Sequence, residues 1–171
     1  TLFGFKVVGD RVCSFLAGDG YMFKKYKNGY TIFTSVEFEK NMPFYQGYIT
    51  DSVRFLQYKQ EELSATVTVD YLNSALDAED HAYKLPATNF FLKELDYVED
   101  LELLLLFSDG LGTFQLDKSD VAVLDILKCI INLKSYSHGF IQRKLLNGLK
   151  KDFKGSISHW DDFSVIGLAN V

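Results

Sequence analysis

Hydrophobic and polar residues alternate along the first 38 positions in a way that predicts short β-strands. The strand-like runs lie at residues 3–9, 11–17, 21–27 and 30–38. Gly9-Asp10 divides the first pair of runs and Asn28-Gly29 divides the second, and both dipeptides favour tight hairpin turns. We therefore expect this part of the chain to fold as an antiparallel meander, interrupted by Gly18-Asp19-Gly20.

The rest of the chain mixes strand-like with helix-like spacing. Further strands are predicted at residues 65–72, 90–95, 101–108 and 163–168. Polar residues at 73–88 predict a loop, whereas residues 41–62 have no clear period. Helical spacing begins after Ser119, a candidate N-cap, and predicts one helix to about Leu133 and a second at 139–153.

This order of elements predicts the fold class. Helices grouped late in the chain, beside antiparallel strands, indicate an α+β layered domain rather than a doubly wound parallel sheet. A chain of 171 residues suits one domain, and neither an internal repeat nor a linker divides residues 1–171. We expect a single ordered domain.

Composition limits the partners and the compartment. A net charge of −5 argues against a general nucleic-acid binder, and the absence of any apolar run near 18 residues argues against a membrane span. Two cysteines in apolar segments, Cys13 and Cys129, indicate free buried thiols in a reducing compartment, so we expect a cytoplasmic protein. The three histidines have no metal-ligand spacing, which argues against a zinc site.

Three aspartates stand at the ends of predicted strands. Asp19 lies between two glycines, Asp109 follows the apolar run 103–107 in Ser108-Asp109-Gly110, and Asp161 precedes the last strand. Each alone is typical of a turn, because Asp and Gly are common turn formers. If their strands share one core, the carboxylates converge and repel one another unless a cation neutralises them. Such oxygen-only ligands select Mg²⁺ or Mn²⁺ over zinc.

Three motifs, in this order and spacing, resemble the metal-dependent protein phosphatase family, the protein phosphatase 2C-like enzymes. Residues 103–111, LLLLFSDGL, resemble the family's apolar strand followed by Ser-Asp-Gly. Residues 161–166, DDFSVI, resemble its closing Asp-Asn-x-Thr-Val-Ile, with Asp162 in place of Asn. Residues 17–20, AGDG, followed by Asn28-Gly29, resemble its Val-Gly-Asp-Ser strand and hairpin.

The resemblance implies an antiparallel β-sandwich flanked by helices, with two or more Mn²⁺ or Mg²⁺ ions between the sheets. It implies a Ser/Thr protein phosphatase in which a metal-activated hydroxide attacks a phosphoprotein substrate directly. Carried over by position, Asp109 and Asp161 would ligate the first metal, and Asp19 would help to hold an additional ion. The choice between Asp161 and Asp162 stays open.

The resemblance covers only the later half of the family's domain. The family's earlier metal-bridging Asp-Gly, its phosphate-binding Arg and its proposed general-acid His have no counterpart in this sequence. We therefore expect a missing N-terminal segment or a partner chain to complete the site. Two alternatives stay open: a catalytically inactive, phosphatase-like binding or regulatory module, and an unrelated α+β domain whose acids are all turn residues.

Overall fold

Strands form most of the regular structure in the computed structural model of this chain, which describes residues 1–44, 46–72, 78–87, 91–131, 139–144 and 157–170. The strands of these residues are β1 Leu2–Val8, β2 Arg11–Ala17, β3 Gly20–Tyr26, β4 Thr31–Phe38, β5 Ser64–Leu72, β6 Ala78–Pro86, β7 Leu92–Tyr97, β8 Leu101–Phe107, β9 Phe114–Leu116, β10 Ser119–Asp120, β11 Ile157–His159 and β12 Val165–Ala169. The α-helices are α1 Ser52–Gln60, α2 Val123–Ile131 and α3 Phe140–Lys144, and short 3-10 helices cover Glu39–Asn41, Gln46–Ile49 and Asp109–Thr113.

Two antiparallel sheets form the layers of the fold. The larger has six strands in the order β12-β8-β3-β4-β5-β6, and the smaller has three in the order β1-β2-β7. A third, short sheet joins β10, β9 and β11. The chain passes from the smaller to the larger sheet at Gly18 and Asp19, where Gly18 has a φ of +93°. The predicted single meander is therefore wrong, because β2 and β3 are consecutive in sequence but belong to different sheets.

The central strand β8 explains how the layers stack. Residues 103–107 of this strand alternate between two apolar cores, so both faces of the strand are buried there. Leu104 and Leu106 face the three-stranded sheet, where they join a core with Val12 of β2. Leu103, Leu105 and Phe107 face the opposite side, in a second core that includes Ile126, Leu127 and Ile130 of α2. The order of layers is thus a small sheet, a large sheet and a helix.

Helix α1 packs at the far end of the large sheet. Asp51 caps its first turn by accepting hydrogen bonds from the backbone N–H groups of Val53 and Arg54, both at 3.1 Å. Its Tyr58 is buried against Phe44, with ring centroids 5.2 Å apart, in a third core under β4 and β5. Residues 41–62 have no clear hydrophobic period, and this helix was not predicted.

A buried ion cluster links the two sheets. Lys24 of β3 is 2% exposed, and its Nζ donates to carboxylate oxygens of Glu94 and Asp96 on β7. The hydroxyl of Tyr26 donates to the other oxygen of Asp96 at 2.7 Å, and burial together with this bond raises the pKa of Tyr26. We call these four residues the Lys24 cluster. Glu94 and Asp96 turn inward here, and the buried Lys24 supplies the cation that a buried carboxylate requires.

Most predicted strands are confirmed, and the α+β class with a mainly antiparallel, sandwich-like arrangement is confirmed at that level. The predicted loop at 73–88 is wrong for Ala78–Pro86, which pairs with β5 along its whole length. Ser119 is not a helix cap, because it pairs with Leu116 and α2 begins at Val123. The second predicted helix is confirmed at Phe140–Lys144, and its remainder at 145–153 lies outside the described residues. No helix in the described ranges is both long enough and apolar enough to cross a bilayer.

Candidate functional site

Asp109 lies just beyond the end of β8, the central strand of the fold. The strand β8 is buried on both faces, and Asp109 is the first residue of the 3-10 helix that follows it. The helix is fixed internally, since the hydroxyl of Thr113 donates to the carbonyl oxygen of Gly110 at 2.9 Å. The backbone of Asp109 therefore has little freedom to shift. A metal ligand or a catalytic group needs a backbone that is held in this way.

Ser108 joins this turn to the chain segment that carries Asp161 and Asp162. Its backbone N–H donates to the carbonyl oxygen of Ser164 at 3.0 Å, and its hydroxyl donates to the carbonyl oxygen of Asp162 at 3.1 Å. In return, the N–H of Ser164 donates to the hydroxyl of Ser108 at 2.9 Å. Three hydrogen bonds therefore connect positions 54 to 56 residues apart in the sequence.

Gly110 allows the same two segments to touch. A Cβ atom at this position would collide with the carbonyl group of Asp162, and it would lie 2.9 Å from the Cα of Phe163. Since real Cβ contacts do not occur at such distances, a side chain here would push the 161–163 segment away. The Ser-Asp-Gly sequence thus has a structural reason: Ser108 bonds to the segment, Gly110 permits its approach, and Asp109 lies between them.

Asp19 is brought to this place by a comparable contact. Gly20 has a φ of +146°, and a Cβ on it would lie 2.6 Å from the carbonyl oxygen of Phe107, the last residue of β8. The hydroxyl of Thr1 donates to the backbone oxygen of Asp19 at 2.6 Å and to its carboxylate at 3.2 Å. Glycine therefore lets the crossover between the sheets press against the end of the strand that leads to Asp109.

The three predicted aspartates line one cleft of about 410 Å³, which we call the acid cleft. Asp19, Asp109 and Asp161 contribute to its wall, together with Tyr21, Glu37 and Trp160. On the other side of Asp109 and Asp161 lies a second hollow of about 460 Å³, which Asp162 lines with Ser108 and Ser164. Asp161 thus faces both hollows, whereas Asp162 faces only the second one.

The electrostatics of the acid cleft follow from this grouping. Partial burial raises the pKa of the Asp19 carboxyl, and the nearby charge of Asp109 raises it further. Burial raises the pKa of Tyr21 to about 12, with additional contributions from Glu37, Asp109 and Asp19. The cleft therefore has a negative potential, which favours protonated groups and cations.

No lysine, arginine or histidine side chain forms an ion pair with these acids in the part of the chain that is described, and the amino group of Thr1 lowers the pKa of Asp19 less than burial and Asp109 raise it. The ion pairs there connect lysines and arginines to other acids, and none includes Asp19, Glu37, Asp109, Asp161 or Asp162. Asp161 is engaged only locally, since its Oδ1 accepts a hydrogen bond from the N–H of Asp162 at 2.8 Å. The negative charge of the cleft therefore favours the binding of a cationic ligand.

Known proteins add no further guide to this cleft. No family model, curated protein or solved structure matches the chain. The chemistry of the cleft is therefore argued from its own residues.

The donors of the cleft suit a hard divalent cation in kind, though not as a closed cage. Within the described ranges, no three His, Cys, Asp or Glu side chains lie close enough together to hold a metal ion. The available ligands are the carboxylate oxygens of Asp19, Glu37, Asp109 and Asp161 along the cleft. Mg²⁺ is commonly held by one or two carboxylates, with waters and phosphate oxygens as its other ligands. The residues present fit that mode of binding.

Three residues of the acid cleft escaped the sequence analysis. Glu37 is the exposed acid near the end of β4, between buried Val36 and Phe38. Trp160 is 70% exposed and directly precedes Asp161. Tyr21 directly follows Gly20 and packs beside Gly112, where a Cβ would lie 2.7 Å from the tyrosine hydroxyl. Each is a sequence neighbour of a predicted residue or stands at a polar position in an apolar strand, and these are the signals that would have identified them.

Proposed function

We propose that this chain carries part of the active site of a Mn²⁺- or Mg²⁺-dependent Ser/Thr protein phosphatase with a phosphatase 2C-like fold. The substrate class is the phosphoserine or phosphothreonine side chain of a phosphoprotein. The observation that carries the proposal is that Asp19, Asp109 and Asp161 line one cleft and that no described lysine or arginine forms an ion pair with them.

The roles proposed for the carboxylates follow from their positions. Asp109 and Asp161 hold one ion, because the Ser108 hydrogen bonds and the Gly110 contact keep their segments together. Asp19 faces the same cleft from the crossover between the sheets and holds a further ion. Divalent ions bound there lower the pKa of water and neutralise charge on phosphoryl oxygens.

The reaction proposed is hydrolysis of a phosphomonoester. The oxygen of water forms a bond to phosphorus, the bond from phosphorus to the serine or threonine oxygen breaks, and the alcohol leaves with a proton that comes from the water. The carboxylates of this chain contribute by fixing charge and geometry at the phosphoryl group. The sequence lacks counterparts of the family's earlier motifs, so the proposal includes another segment or a partner chain that completes the site. A cytoplasmic location is part of the same proposal.

Trp160 makes a direct test of cation binding possible. It is the single tryptophan of the chain and lines the acid cleft, so its fluorescence reports on this place alone. Titration with Mn²⁺, a paramagnetic ion, is expected to quench the emission, and excess Mg²⁺ is expected to restore it. Asp109→Asn should weaken the apparent Mn²⁺ affinity by about tenfold or more, because a charged ligand becomes neutral.

Asp10→Asn is the matched control, since Asp10 is an exposed aspartate in the turn between β1 and β2. It should leave the quenching curve unchanged. The same three proteins are then assayed for hydrolysis of a small aryl phosphate with Mn²⁺. Metal-dependent turnover lost in Asp109→Asn supports the phosphatase. Quenching without turnover is expected of a chain that holds only part of the site and also of a phosphatase-like binding module, and turnover after addition of the completing segment or partner chain distinguishes the first from the second. No quenching at millimolar Mn²⁺ contradicts both.

A further inference from the structure

The three-stranded sheet has one face that no part of the described chain covers well. Strand residues alternate in direction, and those that point away from the large sheet define what we call the outer face. Its members are Leu2, Lys6 and Val8 of β1, Arg11, Cys13 and Phe15 of β2, Lys93, Leu95 and Tyr97 of β7, and the neighbouring Phe91. The opposite face of the same strands is buried against β8.

Large apolar side chains are exposed together on the outer face. Leu95 and Val8 are each 60% exposed, and Leu2 and Phe91 are about half exposed. Phe15 stacks on Phe91 with ring centroids 5.7 Å apart and covers Gly4, where a Cβ would lie 3.0 Å from its ring. Contiguous exposed apolar area of this kind is typical of interaction sites, because leaving it in water is unfavourable.

The charges on the outer face have one sign. Each strand contributes one cation, namely Lys6, Arg11 and Lys93, although the whole chain has a net charge of −5. The acids of β7, Glu94 and Asp96, point inward to Lys24. Arg11 pairs with Asp10 of the adjoining turn at 3.9 Å, whereas the ion pairs of the described residues include neither Lys6 nor Lys93. Two copies of this face would bring like charges together, which disfavours a symmetric dimer. Charge complementarity instead selects an acidic partner.

The width of the sheet fits one helix. Neighbouring strands are about 4.8 Å apart, so the outer strands β1 and β7 lie ~10 Å apart on either side of β2, close to the diameter of one α-helix. Lys6 and Leu95 are register partners of Cys13, and Lys93 is a partner of Phe15. A helix above Cys13 and Phe15 would therefore have a lysine along each side.

We propose that the outer face docks an amphipathic helix of a partner protein, with an apolar stripe flanked by aspartate or glutamate. The stripe contacts Phe15, Phe91 and Leu95, and the flanking acids pair with Lys6 and Lys93. This docking is independent of the acid cleft, because it involves the opposite side of the β1-β2-β7 sheet from the cores that reach β8.

The two cysteines provide a footprint with an internal reference. Cys13 lies in the centre of the outer face, whereas Cys129 belongs to α2 on the other side of the large sheet. The full chain is mixed with one of two synthetic helical peptides that share a leucine stripe and carry either glutamate or lysine beside it. The rate at which N-ethylmaleimide labels each cysteine is measured by mass spectrometry. The glutamate peptide should slow labelling of Cys13 by about tenfold relative to Cys129, and the lysine peptide should not.

Charge reversal sharpens the test. The double variant Lys6→Glu with Lys93→Glu should transfer protection of Cys13 from the glutamate peptide to the lysine peptide, and Leu95→Asn should weaken protection by either. All three positions are exposed, so an unchanged thermal melt will show that the variants fold.

Several results would overturn the proposal. Equal protection by both peptides, or none by the glutamate peptide at millimolar concentration, contradicts charge-selective docking. Protection that grows with protein concentration and accompanies a dimer in sedimentation velocity identifies a second copy as the occupant. Protection by vesicles of phosphatidylcholine with phosphatidylserine, stronger than by the glutamate peptide, identifies a lipid surface.

Discussion

The acid cleft and the Lys24 cluster place carboxylates together in opposite ways. In the Lys24 cluster, Glu94 and Asp96 turn inward and share the ammonium group of one buried lysine. In the acid cleft, Asp19, Asp109 and Asp161 share a wall, and no described lysine or arginine pairs with them. The two groups have β3 in common, since this strand carries Lys24 and begins directly after Asp19. This fold therefore pairs acids with a cation where they hold the sheets together and leaves them without a lysine or arginine partner, among the described residues, where a ligand could enter.

The largest expected effect comes from removing the internal cation. Lys24→Met removes the cation shared by Glu94 and Asp96 and leaves Asp96 with only the hydrogen bond from Tyr26 among the bonds of the Lys24 cluster, and such a change costs about 3–5 kcal/mol of unfolding free energy. Urea denaturation measures the loss. The control is Lys25→Met in the next position, whose ion pair with Glu102 is partly exposed and contributes at most about 1 kcal/mol.

Removing the acids as well should reverse much of that loss. In a triple variant with Lys24→Met, Glu94→Gln and Asp96→Asn, the buried charge disappears, so stability should recover part of the way to the native value. If the single Lys24→Met variant were as stable as Lys25→Met, the Lys24 cluster would not hold the sheets together, and the contrast between the two acid groups would fail.

A smaller loss is expected at the contact that builds the acid cleft. Gly110→Ala places a methyl group against the backbone of Asp162, so the 161–163 segment must shift, at a cost of about 1–3 kcal/mol. Because Asp161 moves with that segment, Mn²⁺ quenching of Trp160 should weaken as well. Gly47→Ala is the control, since nothing lies within 4 Å of its Cβ position. Equal Mn²⁺ affinity in both variants would show that Asp161 contributes nothing to binding.

Neutralising an acid of the cleft should have the opposite sign from neutralising Lys24. Asp109→Asn removes a charge that repels Asp19, so the pKa of Asp19 should fall toward its ordinary value. Unfolding free energy should rise slightly, by about 0.5 kcal/mol or less, because one source of repulsion is gone. NMR titration of the Asp19 carboxyl in both proteins measures the shift. An unchanged pKa would mean that the two carboxylates do not sense each other.

The sequence predicted which aspartates lie together in one cleft better than it predicted the sheets. The apolar run before Asp109 and the hairpin dipeptides identified β8 and the paired strands, because burial and turn chemistry are local signals. The crossover at Gly18 was missed, since alternation gives the direction of side chains but not the sheet to which a strand belongs. Ala78–Pro86 was predicted as a loop because an edge strand with polar residues is held by its backbone pairing with β5.

The three aspartates of the acid cleft were predicted from their positions at strand ends, whereas the other residues that line the cleft were not predicted. Glu37 and Trp160 reach the acid cleft only because β4 lies beside β3 and because the 161–163 segment packs on Gly110. Both conditions depend on contacts between residues far apart in sequence. Helix α1 was missed for a related reason, since Tyr58 is its one buried residue and a single apolar anchor gives no helical period.

The smallest expected effect is a dependence of cation binding on pH. The folded-state pKa of Asp19 lies above the ordinary value of 3.8, so the folded protein holds this proton at a pH where an unfolded chain has lost it. Protonation of Asp19 therefore stabilises the fold at low pH, and that contribution is lost as the pH rises through the raised pKa. Cation affinity has the opposite trend, because the ionised carboxylate is the ligand.

Glu39 provides the contrasting acid for this experiment. A hydrogen bond from Lys84 is the main cause that lowers its pKa to about 2, so its stabilising contribution is present above the ordinary pKa of 4.5 and is lost as the pH falls through about 2. As the pH rises from 4, Glu39 therefore stays ionised, whereas Asp19 loses its proton over a higher pH interval than an ordinary aspartate does. Mn²⁺ quenching of Trp160 should strengthen over that interval in the native chain and in Glu39→Gln alike, and the dependence should flatten in Asp19→Asn. A slope that survives in Asp19→Asn would assign the proton to another residue and would remove Asp19 from the set of ligands.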